Sequence, residues 1–379
     1  MNEKKIVLIG PVYPYKGGIA HYNSLLFRTL KEKYDTKLVS FKRQYPRALY
    51  PGTIQKDYQN RFFQVKDAEY LIDSVNPISW LLTVKKILSN KPELIIFQWW
   101  NPFFAPAYLT MIVFYRMFSE VKVLFICHNV LPHEKMPLEK CLVKAVLRKS
   151  DYFIVQSKED EEKLLCMIPD ASYKLTPHPS YNIFKSANIS KEEARTRLGI
   201  VNSKKVLLYF GFVREYKGLI YLIRALPLVK KEYPDIKLLI AGEFFDDRIK
   251  YLKEIEKLKL QDSINIYDHY IPDEEVGAFF SASDLVVLPY ITATQSGIVQ
   301  IAYAFETPVV VTCVGGLPEV VEHNKTGYVI QPQDPNQIAN AVIDFYSMNN
   351  KSKFIKNISR QQDRFSWRKL LETIEDLCF

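Results

Sequence analysis

The stretch 284–330, DLVVLPYITATQSGIVQIAYAFETPVVVTCVGGLPEVVEHNKTGYVI, constrains the fold of this chain more than any other part. Residues 285–288 form a short apolar run bounded by turn residues, the pattern of a buried strand. A turn of small polar residues follows at 292–297. Ile298, Ile301, Ala302 and Phe305 then recur at helical spacing, and 308–312 reads as a second strand. A helix that starts at such a turn leaves the backbone N–H groups of Ser296, Gly297 and Ile298 pointing outward. The positive end of the helix dipole stands behind them, so the turn suits an anion, and a diphosphate in particular. One such turn is equally a plain connection without a ligand, and the rest of the chain decides between the two.

The same alternation runs through the whole sequence. Residues 4–10 read as a strand. A loop ending in Gly17 and Gly18 follows, then a helix with Ile19, Tyr22, Leu25, Leu26 and Leu30 on one face. This is the first unit of a doubly wound sheet, and paired glycines let a ligand approach the backbone. Residues 42–70 are irregular, crowded with Tyr, Pro and Arg, and long enough to suggest either function or a mobile loop. A helix is expected over 77–88 and a strand over 93–98. Trp99, Trp100 and Phe103 follow at the strand's C-terminal end, the side that faces the ligand crevice in open α/β sheets. Such aromatics hold a sugar or lipid, or belong to the core. After an apolar helix and a strand at 122–127 comes His128-Asn129-Val130-Leu131-Pro132-His133-Glu134, with His128 the candidate for chemistry. Strands at 152–156 and 173–176 flank a charged helix over 158–166.

Periodicity lapses over 177–195, which reads as the interdomain linker. Strands then resume at 206–210, 237–241 and 264–267, with a helix over 272–282. Arg214 and Lys217 lie just past the first of these strands, where two cations can clamp a diphosphate or simply be surface charges of a loop. Gly242 and Glu243 follow the second. The last helix carries Trp367, Leu370, Leu371 and Ile374 on one face, which must pack somewhere. The expected domains are therefore 1–185 and 186–364, with 365–379 returning to the first.

At 379 residues the chain is too long for one ordinary core, and 48% hydrophobic content allows two. Cys127, Cys141, Cys166, Cys313 and Cys378 are scattered, mostly within apolar runs, and read as buried thiols of a reducing compartment without a disulfide framework. No CxxC pair offers a metal site, and no leader peptide is expected before the first strand. The longest apolar stretch, 103–115, falls short of the ~20 residues that span a bilayer. The net charge of +9 is uneven. Residues 1–190 hold 27 Lys+Arg against 17 Asp+Glu, a balance of +10, while 191–379 hold 24 against 25, a balance of −1. A basic first half suits an anionic membrane or a nucleic acid, or is merely a solvated surface. A nucleic-acid reader would interleave basic and aromatic residues on a strand face or carry a recognition helix, and neither pattern is visible.

With these pieces in order, the chain resembles glycosyltransferases of family four, which have the GT-B fold: α/β, two Rossmann-like doubly wound domains facing across a cleft. The resemblance rests on GPVYPYKGGIAHY at the N-terminus, ICHN at 126–129, GFVREYKGL at 211–219, IAGE at 240–243, SASDLVVLPY at 281–290 and VGGLPEVVEHNKTGYVI at 314–330. It implies a retaining transfer of a sugar from a nucleotide-diphosphate donor, with no metal and no cofactor. By position, Gly17 and Gly18 approach the donor phosphates, and Arg214 and Lys217 bind the diphosphate and stabilise the leaving nucleotide. Ser296, Gly297 and Ile298 add N–H groups. His128 lies near the reacting sugar carbon, and His269, Tyr270 and Ile271 border the base.

One departure stands out. The family's two glutamates, eight positions apart, are replaced by Thr294 and Ala302, so Thr294 and Gln295 stand where a carboxylate grips the donor sugar. Glu243 and Glu319 are candidate substitutes. The resemblance assigns the acceptor to the basic N-terminal domain, with Trp99, Trp100 and Asn129 as contacts. A lipid-linked or growing surface polysaccharide on the inner face of the cytoplasmic membrane is expected. The rival expectation is a non-catalytic nucleotide-sugar-binding or scaffold subunit that has lost its carboxylates; an epimerase or phosphorylase on the same architecture also remains open.

Overall fold

The computed structural model describes residues 4–50, 55–58, 61–131, 139–187, 189–201, 205–348 and 350–379. His133 and Glu134 of the histidine cluster lie outside them. The chain divides into two compact units, Met1–Pro177 with Trp367–Phe379, and His178–Ser366.

Unit 1 contains strands β1 (Lys5–Ile9), β2 (Asp35–Arg43), β3 (Ala68–Asp73), β4 (Leu94–Trp99), β5 (Lys122–Cys127), β6 (Tyr152–Val155) and β7 (Tyr173–Leu175). They form one sheet in the order β3-β2-β1-β4-β5-β6-β7, with every pairing parallel. Parallel strands are covered on both faces, which is why β4 and β5 read as unbroken apolar runs. Helices α1 (Gly18–Lys31), α2 (Pro77–Leu88), α3 (Ala105–Phe118), α4 (Glu139–Leu147) and α5 (Lys158–Met167) cover the sheet. Side chains of α2, α3 and α4 share one core cluster with Val7, Phe97 and Phe125. Tyr22, Leu26 and Leu30 of α1 share the other with Leu8, Ile96 and Ile126. The last helix, Trp367–Cys378, joins that second cluster through Leu370, Leu371 and Ile374. Tyr34 Oη donates to Glu375 Oε1 at 2.6 Å, and Lys122 Nζ donates to the carbonyl of Cys378 at 2.8 Å.

Unit 2 contains β8 (Lys205–Phe210), β9 (Ile236–Ala241), β10 (Ile264–Tyr267), β11 (Leu285–Leu288), β12 (Val309–Thr312) and β13 (Gly327–Ile330). Its sheet runs β10-β9-β8-β11-β12-β13, again parallel throughout. Both sheets therefore reverse direction beside their first strand, between β1 and β4 and between β8 and β11. In open parallel sheets, ligands bind past the strand ends at that reversal.

The segment 177–195, where periodicity lapses, carries the start of a helix, Lys191–Arg197, with Ser190 Oγ accepting the N–H of Glu193 at 3.1 Å. Only Ala194 of this helix is buried, so no apolar stripe announces it. It is held instead by Lys191 and Arg195, which converge with Lys351 on the buried carboxylate of Asp284. The cysteines are not uniformly buried. Cys127 and Cys378 are, whereas Cys141, Cys166 and Cys313 are exposed on the rims of apolar segments.

Candidate functional site

In unit 2 the loops past β8 and β9 are stitched together. Val213 N–H donates to the carbonyl of Glu243 at 2.9 Å, and Phe245 N–H returns to Val213 at 2.9 Å. Gly242 permits this approach, since its φ is +145° and a Cβ there would stand 2.2 Å from the Gly211 carbonyl oxygen. The same loop carries the two cations. Lys217 Nζ lies 3.3 Å from where a Gly211 Cβ would stand, and Ile298 Cδ1 lies 3.6 Å from the same point. The ammonium is therefore set against the first turn of the helix Gly297–Ala304. It also stands 5.8 Å from the Tyr290 ring centroid, and Tyr290 Oη is 3.3 Å from Ser296 Oγ. Ser296 occupies the N-cap position but makes no side-chain cap bond, and no acidic residue sits in the first turn. The helix end keeps its positive character.

Burial first, and the neighbouring Arg214 guanidinium second, lower the pKa of Lys217 from 10.5 to about 8. Two like charges are thus held together in a place that already dehydrates one of them. Arg214 stacks over Phe245 with its guanidinium carbon 5.0 Å from the ring centroid. Phe245 stacks on Phe212 at 4.5 Å, and Phe212 lies 6.1 Å from Tyr270. This half-exposed aromatic group borders the cations. Phe212 and Phe245 were not singled out in the sequence, although each follows a strand end, as Arg214 does.

The other donor-site candidates distribute around this core. Gln295, in the turn before the helix, has a buried side-chain Nε2 with no acceptor among the described residues. Thr294 is buried, and its carbonyl accepts the N–H of Gly316 at 2.8 Å. Ala302 faces the core with no exposure. Glu243 is half-buried, His269 is exposed and Ile271 is buried. Glu319 is half-buried in the one-turn helix Leu317–Val320, and its carbonyl accepts from Arg364. Beneath Gly297 lie Tyr181 and His178, with Tyr181 Cε2 3.5 Å and His178 Nε2 3.9 Å from the position of a Cβ. Burial lowers the pKa of His178 to about 4, so this ring is neutral near pH 7.

In unit 1, His128 follows β5, one strand beyond the corresponding reversal. Its backbone N–H donates to the Trp99 carbonyl at 2.8 Å, and its Nε2 is 2.7 Å from Oε1 of the fully buried Gln98. Its ring meets Tyr22 edge-on at 4.7 Å, and Tyr22 Oη accepts from Gln156 Nε2 at 3.0 Å. Two residues on, Val130 N–H donates to Asp160 Oδ1 at 2.8 Å. Asp160 is fully buried, and desolvation raises its pKa to about 6 against the backbone and Ser157 bonds that favour its charge. An amide inside the apolar run of β4 is the sequence signal for Gln98; Tyr22 gives none, because it reads as part of an apolar stripe. Nearby, Gly17 adopts φ +111° immediately before α1, where Gly18 is the first residue.

Trp99 is corrected. It ends β4 with 1% of its surface exposed, and its indole N–H donates to the Val130 carbonyl at 3.3 Å. A side chain packed in this way has no face for an acceptor. Trp100 is half-buried and bonded through its indole N–H to Tyr45 Oη at 3.0 Å, and Asn129 is half-buried. Among the described residues no three of His, Cys, Asp and Glu are grouped so as to hold a metal ion. None of the described helices is long and apolar enough to cross a membrane.

Residues 190–362 match the family model of glycosyl transferases group 1. A D-inositol 3-phosphate glycosyltransferase of Corynebacterium urealyticum is 31% identical over 49% of this chain and 45% of its own length. The chain spans about half the length of the curated relatives it matches. Among solved structures, sucrose-phosphate synthase of Thermosynechococcus elongatus covers 99% of this chain and 98% of its own, at TM-score 0.75 and 19% identity. HepE of Anabaena in complex with UDP covers 99% and 100%, at TM-score 0.74 and 17% identity. The two parallel, doubly wound sheets are those of the GT-B fold, and residues 190–362 are similar to the glycosyl transferases group 1.

Proposed function

We propose that the protein is a retaining hexosyltransferase that moves a sugar from a nucleotide-diphosphate donor to a lipid-linked or polysaccharide acceptor. The reading places it in bacterial surface glycan synthesis, at the cytoplasmic face of the membrane. The observation that carries the proposal is the pairing of Arg214 and Lys217 with the uncapped start of the helix Gly297–Ala304. As the bond from the anomeric carbon to the diphosphate breaks, the electron pair leaves with the nucleotide. Arg214, Lys217 and the N–H groups of Ser296, Gly297 and Ile298 stabilise that developing charge. These groups supply the positive charge, so the reading needs no metal. Phe212, Phe245 and Tyr270 border the nucleotide, and Gln295 offers an amide to the sugar in place of the missing carboxylate at 294. In unit 1, which binds the acceptor, His128 is held in one orientation by Gln98 and Tyr22.

UDP is the first nucleotide to test, because a protein of the same fold is described in complex with it. Thermal-shift titration with UDP, GDP, ADP and TDP, each with and without a sugar, reads donor choice. Release of the nucleoside diphosphate then reads turnover. Thr294 and Ala302 favour one rival, a subunit that binds nucleotide sugars without turning them over. Binding without turnover for every donor and acceptor would establish that rival and reject the transferase.

A further inference from the structure

The aromatic residues that the sequence offers as a lipid contact are largely packed away, whereas a different apolar surface of unit 1 is open. It lies on α2, α3 and α4, three helices whose inner sides share one core cluster on the same face of the sheet. On their outer sides, Ile78 is 68% exposed, Leu82 63%, Met117 65% and Phe118 69%, against 1% for Trp99. Val75 and Leu142 border an open depression of about 310 Å³ whose wall also includes Trp80, Phe103 and Pro106. Isolated exposed apolar side chains are ordinary, but Ile78 and Leu82 stand one turn apart on α2, and Val75 and Leu142 share one depression beside them; such a grouping marks a surface that meets something.

The charges borne by these helices themselves are nearly all of one sign. The three helices carry Lys85, Lys86, Arg116, Lys140 and Lys144 and a single acid, Glu139, which is itself buried. Lys86 pairs with Glu69 and Arg116 with Asp151, while Lys85, Lys140 and Lys144 form no ion pair with a described residue. Apolar side chains rimmed by unneutralised lysines suit an anionic lipid surface: the apolar groups enter the interface and the ammonium groups meet the headgroups. A symmetric contact with a second copy would instead bring the same lysines face to face.

We propose that the outer face of α2, α3 and α4 docks the protein on an anionic bilayer surface, with Ile78 and Leu82 as its principal inserted side chains. This deepens the lipid-acceptor reading by naming the surface, and rests on it for the choice of a lipid partner. The test is co-sedimentation of the whole protein with phosphatidylcholine vesicles, with and without phosphatidylglycerol. The wild type is expected to bind only the anionic vesicles. Ile78→Glu with Leu82→Glu is expected to abolish binding, and Lys85→Glu with Lys140→Glu to weaken it at least about tenfold. All four positions are exposed, and a melting curve on each variant verifies folding. Ile78→Ser with Leu82→Ser provides a second, uncharged pair expected to weaken binding in the same direction. The proposal is overturned if the wild type ignores anionic vesicles, or if both apolar pairs bind as well as it does. It also fails if light scattering shows a dimer that those pairs dissolve. Nucleoside diphosphate binding, read by thermal shift on the same samples, is expected to stay unchanged in all variants. Its absence from the wild type beside intact vesicle binding would reject the transferase reading and leave the docking surface standing.

Discussion

The two sheets reverse direction at the same place in their strand order, yet the chain treats the two reversals in opposite ways. Past β4 and β5, polar groups pair with one another around one ring. Gln98 holds His128, Tyr22 packs against it, Gln156 holds Tyr22, and Asp160 ties down the following loop. Past β8 and β11, two cations share a confined loop beside a helix end that no acidic side chain caps. The first arrangement keeps one ring still through paired groups, although Gln98 Nε2 has no acceptor among the described residues. The second sets two like charges side by side with Lys217 partly dehydrated, a cost that a bound anion would offset. The same reversal of strand order thus carries paired polar groups around one ring in unit 1 and, on the proposed reading, an anion receptor in unit 2.

The largest expected effect comes from breaking the receptor. Arg214→Ala or Lys217→Ala should lower kcat/KM for the donor about 10²–10³-fold and remove the thermal shift by nucleoside diphosphates, with the fold unchanged by circular dichroism. Unchanged rates in both variants would end the comparison. Next is the cost of the buried carboxylate in unit 1. Burial raises Asp160 from 3.8 to about 6, so the folded state holds the proton more tightly than the unfolded one. That contribution is fully present below pH 4 and is lost as pH rises through about 6. Stability should therefore decline over this window by on the order of 1–3 kcal/mol, and Asp160→Asn should flatten the profile in urea melts. A third effect sharpens the receptor. Because the Lys217 pKa is about 8 in the free protein, kcat/KM should fall as pH rises above that value. Lys217→Arg should move this limb to higher pH, since a guanidinium stays charged. The smallest effect belongs to Gln98→Leu. Loss of the bond to His128 should cost about tenfold in kcat and shift the pH profile, leaving donor KM unaltered. A donor KM that rises with it would mean that Gln98 serves the donor rather than His128.

The fold was legible wherever burial on both faces forced a strand into an apolar run, as in β4, β5 and β11, and wherever a helix carried a stripe, as in α1. It was illegible where charge does the holding. The helix Lys191–Arg197 clings to Asp284 through lysine and arginine, and no periodicity records that. At the candidate site, the positions just past strand ends stood out because the turn residues there interrupt apolar runs. Which way a side chain faces was less visible. Trp99 and Trp100 are neighbours with identical chemistry, but successive residues at a strand end turn to opposite sides, so one is core and the other half-exposed. The exposed faces of α2 and α3 escaped notice for a related reason. These helices are apolar nearly all round, and such a pattern normally signals complete burial.

The last helix, Trp367–Cys378, completes the packing of α1 although the whole of unit 2 separates them along the chain. During synthesis, therefore, Tyr22, Leu26 and Ile154 wait for their covering until the second sheet has been made. The half of the molecule that emerges first is the half that is completed last, and a chain cut before Trp367 would leave that side of the first sheet partly bare.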